Sequence, residues 1–126
     1  MLAPQFEEEL KQETGDENFI ERVRVSIQQK LTGRRPNIEG VADALHISSR
    51  TLQRRLQDEG FSFRSVLEGA RHQLARHYLN NSMLELNETA YLLGYEDANS
   101  FVRAFRTWEG VPPARWRENQ RALAAS

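Results

Sequence analysis

Two short stretches of this chain gather side chains able to read the edges of base pairs. The first holds Arg50, Gln53, Arg54 and Gln57, and the second Ala98, Asn99, Val102, Arg103 and Arg106. A guanidinium can bond two acceptors on one guanine edge. A carboxamide pairs a donor with an acceptor, as adenine requires, and an alanine or valine methyl can meet the thymine methyl. Ser49, Thr51 and Ser100, with Arg64 and Arg106, suit phosphate oxygens, contacts that position a protein without reading sequence. A lone arginine on a helix is usually a solvated charge. Arg54 and Arg103 outweigh that reading because they hold matched positions of an internal repeat.

The repeat is also what must position them. Residues 41–56 read VADALHISSRTLQRRL and residues 89–105 read TAYLLGYEDANSFVRAF. Ala42 matches Ala90, Leu45 matches Leu93, His46 matches Gly94 and Ile47 matches Tyr95. After one extra residue in the second unit, Leu52 matches Phe101, Arg54 matches Arg103 and Leu56 matches Phe105. Each unit reads as a short helix, a tight turn and a second helix. The alanine suits a close helix crossing. The turn position calls for a left-handed backbone, which glycine adopts freely and histidine tolerates better than most residues. Leu52 and Leu56, or Phe101 and Phe105, anchor the second helix, so the polar residues between them face outward.

The rest of the chain supplies the supporting helices. Asn18 with Glu21 has the form of a capping box. It opens a helix whose apolar face is Phe19, Ile20, Val23, Ile27 and Leu31, and Gly33 is placed to end it. Asn37 caps the next helix, which carries Ile38, Val41, Ala42 and Leu45. Gly40 within it costs about 1 kcal/mol against alanine. Ser48 or Ser49 caps a helix over about 49–58, ended by Gly60. Ser62 caps a long helix over about 63–80, stopped by Asn80 and Asn81. Asn87 is expected to cap the second unit's first helix, and Asp97 the helix that runs to Glu109 and ends at Gly110. Pro112 and Pro113 open a last short helix containing Trp116. Arg71 and Arg76, on the long helix away from the reading faces, are expected to serve ion pairs with Glu68 or Asp58. Phe61, Phe63, Tyr78, Tyr95, Trp108 and Trp116 are expected in the core. No strand pattern occurs, so the fold class is all-α, with about seven helices.

Composition narrows the function. The 126 residues fit one domain or two small lobes, and they include no cysteine for a disulfide or thiolate metal site. No apolar run is long enough for a membrane, and the acidic first residues are not a signal peptide. Net charge is only −1. Residues 1–18 hold one Lys against six Asp/Glu, leaving 19–126 at +4. No metal site is expected, because His46, His72 and His77 include no i,i+4 pair. No phosphate loop, dinucleotide fingerprint or nucleophile elbow is present, so neither a cofactor nor an enzyme is expected. The near-neutral charge leaves open an alternative, a helical module that holds protein partners without reading DNA.

Several stretches match a known family: SSRTLQRRL (48–56), ARHQLARHYL (70–79) and LLGYEDANSFVRAFRTWEGVPPARWR (92–117). With Gly94, Tyr95, Phe101, Arg103, Phe105, Gly110, Pro113 and Arg117 in their pattern, residues 19–118 resemble the C-terminal DNA-binding domain of AraC/XylS-type bacterial transcription regulators. The resemblance implies homeodomain-like packing of two helix-turn-helix lobes joined by a long central helix. The expected division is an acidic tail or severed linker (1–17), a first lobe (18–61), the connecting helix (62–81), a second lobe (82–120) and a tail (121–126). It further implies that Arg50, Gln53 and Arg54, then Ala98, Asn99 and Arg103, read bases in successive major-groove segments about 34 Å apart. The partners would be promoter or operator DNA and RNA polymerase, in the cytoplasm at the nucleoid. A separate effector or dimerisation domain is expected elsewhere in the full-length protein. His46 replaces the usual turn glycine in the first lobe, and Ala98 is small where polar residues are frequent in the second. With its denser reading face of Arg50, Gln53 and Arg54, the first lobe is still expected to carry most of the specificity. The second is expected to set the footprint length.

Overall fold

In a computed structural model, residues 18–31 and 34–125 are described, and among them the chain forms helices and no strands. The helices are α1 (Phe19–Lys30), α2 (Ile38–Ala44), α3 (Ser49–Asp58), α4 (Phe63–Asn81), α5 (Leu86–Leu92), α6 (Ala98–Glu109) and α7 (Pro113–Ala125). The expected acidic leader and the helix stop at Gly33 fall outside the described residues.

Two cores form, one at each end of α4. The first packs Phe19, Val23, Ile27 and Leu31 of α1 and its end against Val41, Ala42, Leu52 and Leu56, and closes on Val66, Leu67 and Ala70 of α4. The second gathers Ala75 and Leu79 with Ala90, Leu93, Phe101, Phe105 and Trp116. Leu74 lies against both. One helix therefore serves two lobes, and the lobes share packing rather than hanging from a linker. Phe101 and Phe105 are fully buried, and burying each side chain contributes about 1.5–3 kcal/mol.

The repeat extends further back than the two helix-turn-helix units. Leu31 precedes Ala42 by the same number of residues as Leu79 precedes Ala90. On that register Phe19 matches Leu67, Val23 matches Arg71 and Ile27 matches Ala75, and every one of these residues is buried. The second half of α4 is thus to the second lobe what α1 is to the first.

Most expected caps stand. Asn37 Oδ1 accepts from the Gly40 amide at 2.8 Å, which accounts for a glycine there. A Cβ at Gly40 would lie 3.1 Å from that same oxygen. Ser48, not Ser49, caps α3, and Ser62 with Ser65 forms a reciprocal box at α4. Four expectations need correction. Asn18 holds the N-cap position of α1 but makes no side-chain cap bond, and Glu21 pairs instead with Arg24. Asn87 lies inside α5, whose N-cap is Glu85. Glu88 reaches back to accept from the Glu85 amide at 3.4 Å, so a carboxylate at the third helical position replaces the anticipated asparagine cap. Phe61 is 38% exposed; it follows the turn glycine and lies outside the helical periodicity that buries its neighbours. The last helix is also not short, since α7 carries the expected tail to Ala125 as helix.

Candidate nucleic-acid interface

The helix-turn-helix units owe their shape to matching turns. After α2 the Ile47 amide bonds the Ala42 carbonyl at 3.0 Å, and the His46 amide the Asp43 carbonyl at 3.0 Å. After α5 the Tyr95 amide bonds the Ala90 carbonyl, and the Gly94 amide the Tyr91 carbonyl, at the same lengths. This is the Schellman pattern, which satisfies otherwise orphaned carbonyls and requires a left-handed residue just past the helix. His46 (φ +60°) and Gly94 (φ +81°) supply it. The extra residue of the second unit falls between that turn and the next cap.

From the caps onward the two outer helices are in register. Ser48 Oγ accepts from the Thr51 amide at 3.1 Å, and Asp97 Oδ1 from the Ser100 amide at 2.7 Å. Counted from the caps, Ser49 corresponds to Ala98, Arg50 to Asn99, Gln53 to Val102, Arg54 to Arg103 and Gln57 to Arg106. Leu52 and Leu56 face the core in α3, Phe101 and Phe105 in α6.

The structure places the candidate residues as follows. Arg50, Gln53, Arg54, Asn99, Arg103 and Arg106 are exposed, while Ala98, Ser49, Thr51 and Ser100 are half-buried. Thr51 and Ser100 sit at the capping amides, and Thr51 Oγ1 also accepts from Ser48 Oγ at 3.0 Å. Arg103 Nη2 donates to Ser100 Oγ at 3.4 Å. Arg64 is exposed in the first turn of α4 and belongs to neither outer helix.

The Asp97 carboxyl is held below the usual carboxylate range, first by the backbone bond from Ser100 and next by that residue's side chain. A depressed folded-state value means a contribution present above about pH 4, the unfolded carboxylate's range, and lost as pH falls through the lower folded value. Asp97→Asn is therefore expected to flatten the acid limb of stability against pH between those values. Thermal melts of both proteins across pH 2–6 would show it, and an unchanged acid limb would remove the cap from the account.

Two arginines on α4 behave differently from expectation. Arg71 pairs with Glu68 at 3.3 Å, as anticipated, but its Nε donates to the Leu93 carbonyl at 2.9 Å and its Nη2 to the Gly94 carbonyl at 3.1 Å. Arg76 pairs with Glu109 at 3.5 Å rather than with Glu68 or Asp58, and Glu109 also meets His72. His72 stacks on Trp108 at 4.9 Å between centroids, which fastens the end of α6 to α4. Arg117 Nε donates to the Leu79 carbonyl at 2.9 Å and so ties α7 to the end of α4. Burial lowers the Arg117 pKa, with Arg121 adding to the effect. Sequence spacing alone does not reveal these long-range partners.

Two outward helices, each set by a tight turn, define the class as a double helix-turn-helix protein. The helix-turn-helix domain family matches residues 41–119. The ornithine utilization regulator of Pseudomonas aeruginosa is 40% identical over 102 residues, covering 81% of this chain and 30% of that protein. The regulator VirS of Mycobacterium tuberculosis is 35% identical over 102 residues, with the same two coverages. The solved transcriptional regulator CdpR of P. aeruginosa superposes with a TM-score of 0.60 at 44% identity, over 68% of this chain and 27% of that one. The DNA-binding domain of AdpA, solved with a target DNA, has the same fold, at a TM-score of 0.65 and 23% identity over 82% of this chain and 94% of that one. The chain belongs to the AraC/XylS family of helix-turn-helix transcription regulators, whose members are DNA-binding proteins rather than enzymes. It spans about 30% of the length of these curated relatives. No helix among the described residues is long and apolar enough to cross a membrane.

Proposed function

We propose that this chain grips promoter or operator DNA with α3 and α6 in successive major-groove segments on one face of the duplex. The observation that carries the reading is the shared register of the two outer helices. Counted from Ser48 and Asp97, both present an exposed arginine, Arg54 and Arg103, at the same place. Arg50, Gln53 and Arg54 would read bases from α3, and Asn99 and Arg103 from α6, with Ala98 close enough to a groove floor to touch a methyl. Ser49, Thr51, Ser100, Arg64 and Arg106 would hold phosphates. Ser100 would do so while bonded to Arg103.

The full-length protein would use this grip to position RNA polymerase, and would sense an effector or dimerise through a part outside these residues. It would act in the cytoplasm, at the nucleoid. The relatives' names as regulators support this, as does their greater length.

Selection of bound duplexes from a random pool, followed by footprinting, tests the reading. The expected result is two read segments about one turn apart, with affinity falling steeply as salt rises through counterion release. One short segment would reduce the second lobe to a backbone grip, and a flat salt titration would sink DNA binding itself.

A further inference from the structure

A helix ending in a tight turn leaves carbonyls that need donors. In the second lobe a buried arginine reaches two of them. Arg71 is 4% exposed. Its guanidinium bonds the Leu93 and Gly94 carbonyls and lies over the Tyr95 ring, 4.3 Å from its centroid. Tyr95 itself is half-buried, and its pKa is pushed up to about 12, chiefly by burial and next by Glu68. At the matching place in the first lobe stands Val23, fully buried. A helix-turn-helix lobe of this design can therefore be built without a buried cation, and burying one is costly unless it is well bonded.

What the arginine adds lies between the lobes. Gly94 packs on the connector between α1 and α2: a Cβ there would stand 3.0 Å from the Arg34 carbonyl oxygen and 3.3 Å from Arg71 Nη2. Three parts of the chain meet at this point, namely the first lobe's connector, the shared helix α4 and the second lobe's turn. Arg71 clamps the last two together where the first touches them.

We propose that Arg71 is a positioning residue that fixes the spacing between the two DNA segments the protein reads. This rests on the two-segment reading above. Arg71 holds the turn from which α6 departs, so it sets the offset and rotation of α6 relative to α3. One added base pair moves the second segment by about 3.4 Å and about a tenth of a turn. A rigid junction cannot follow that change, and a loosened one can.

The test compares the wild-type chain with Arg71→Met and Arg71→Lys. The selected duplex is used as found, with one or two base pairs inserted between its segments, and with the second segment scrambled. The wild type is expected to lose about tenfold or more with two inserted pairs. Arg71→Met, which keeps the buried stem, should bind the native spacing about tenfold more weakly. Its spacing penalty should shrink to about threefold, and its affinity for the scrambled duplex should stay within about twofold of wild type. Circular dichroism checks the fold. If the methionine variant unfolds, the lysine variant carries the test, because one ammonium does not reproduce a planar fork bonded to two carbonyls; its penalty should fall between the other two. A folded variant with the full wild-type spacing penalty would overturn the proposal, as would equal weakening on every duplex. A wild type indifferent to scrambling would instead refute the two-segment reading, and this assignment with it.

Discussion

Arg54→Ala is expected to weaken binding to the selected duplex by about 1–3 kcal/mol and to relax one base position within it. Arg54 is exposed on α3, and its guanidinium has no hydrogen bond or ion pair to another described residue. Its removal should therefore change folding stability by no more than about 0.5 kcal/mol, and the loss can be read as binding. The alternative role predicts a different pattern. A phosphate contact would weaken all sequences alike and reduce the salt slope by about one. Binding measured on the selected and a scrambled duplex at several salt concentrations separates the two. Equal loss on both duplexes would remove Arg54 from the base-reading set. Arg103→Ala should cost less, since Arg103 leans on Ser100 Oγ and has Val102 beside it where Arg54 has Gln53. Equal costs would contradict an unequal division of labour between the lobes.

What was legible in the sequence follows the range of the interactions. Local ones were plain: the anchors Leu52, Leu56, Phe101 and Phe105 imply the outward positions between them, because helical spacing leaves no other face. The turns at His46 and Gly94 and the cap at Asp97 were legible as local patterns too, whereas Ser48 and Ser49 were equal candidates until the bond from the Thr51 amide decided for Ser48. Asn87 misled because cap preference favours asparagine over glutamate, while Glu85 gains from its reciprocal partner Glu88 three residues on. Arg71 and Glu109 could be recognised as charged but not as tertiary clamps, since Leu93 and His72 lie far away along the chain. The third matched helix of each lobe was hidden by the same residue. Val23 and Arg71 share a place, and a valine aligned with an arginine carries no visible likeness. The base-reading roles remain a chemical argument from exposure and side-chain type, for which the structure supplies the common register of α3 and α6.

Gly94→Ala is expected to be the most damaging small change in the chain, and three glycines make the reason measurable. Gly60, Gly94 and Gly110 have nearly the same backbone, with φ of +83°, +81° and +79°. An alanine at any of them bears the left-handed cost of about 1–2 kcal/mol. Only Gly94 adds a clash. A Cβ at Gly60 or Gly110 meets nothing within 4 Å, whereas at Gly94 it meets the Arg34 carbonyl oxygen at 3.0 Å and carbon at 3.3 Å. Backbone held between two lobes yields less readily than the end of a flexible side chain, so overpacking adds about 1–3 kcal/mol. The total is a large part of the roughly 5–15 kcal/mol that holds a domain of ordinary stability. His46→Gly runs the other way. It relieves a left-handed histidine at the matching turn and should gain up to about 1 kcal/mol, less what the unfolded chain gains in freedom. Urea unfolding of the four variants, compared by midpoint at constant slope, decides the matter. If Gly94→Ala cost no more than Gly60→Ala, the close approach of the second lobe's turn to Arg34 would be absent in solution. A larger cost at Gly94 alone, joined to a weakened preference for operator spacing, would locate stability and DNA geometry in one interlobe contact.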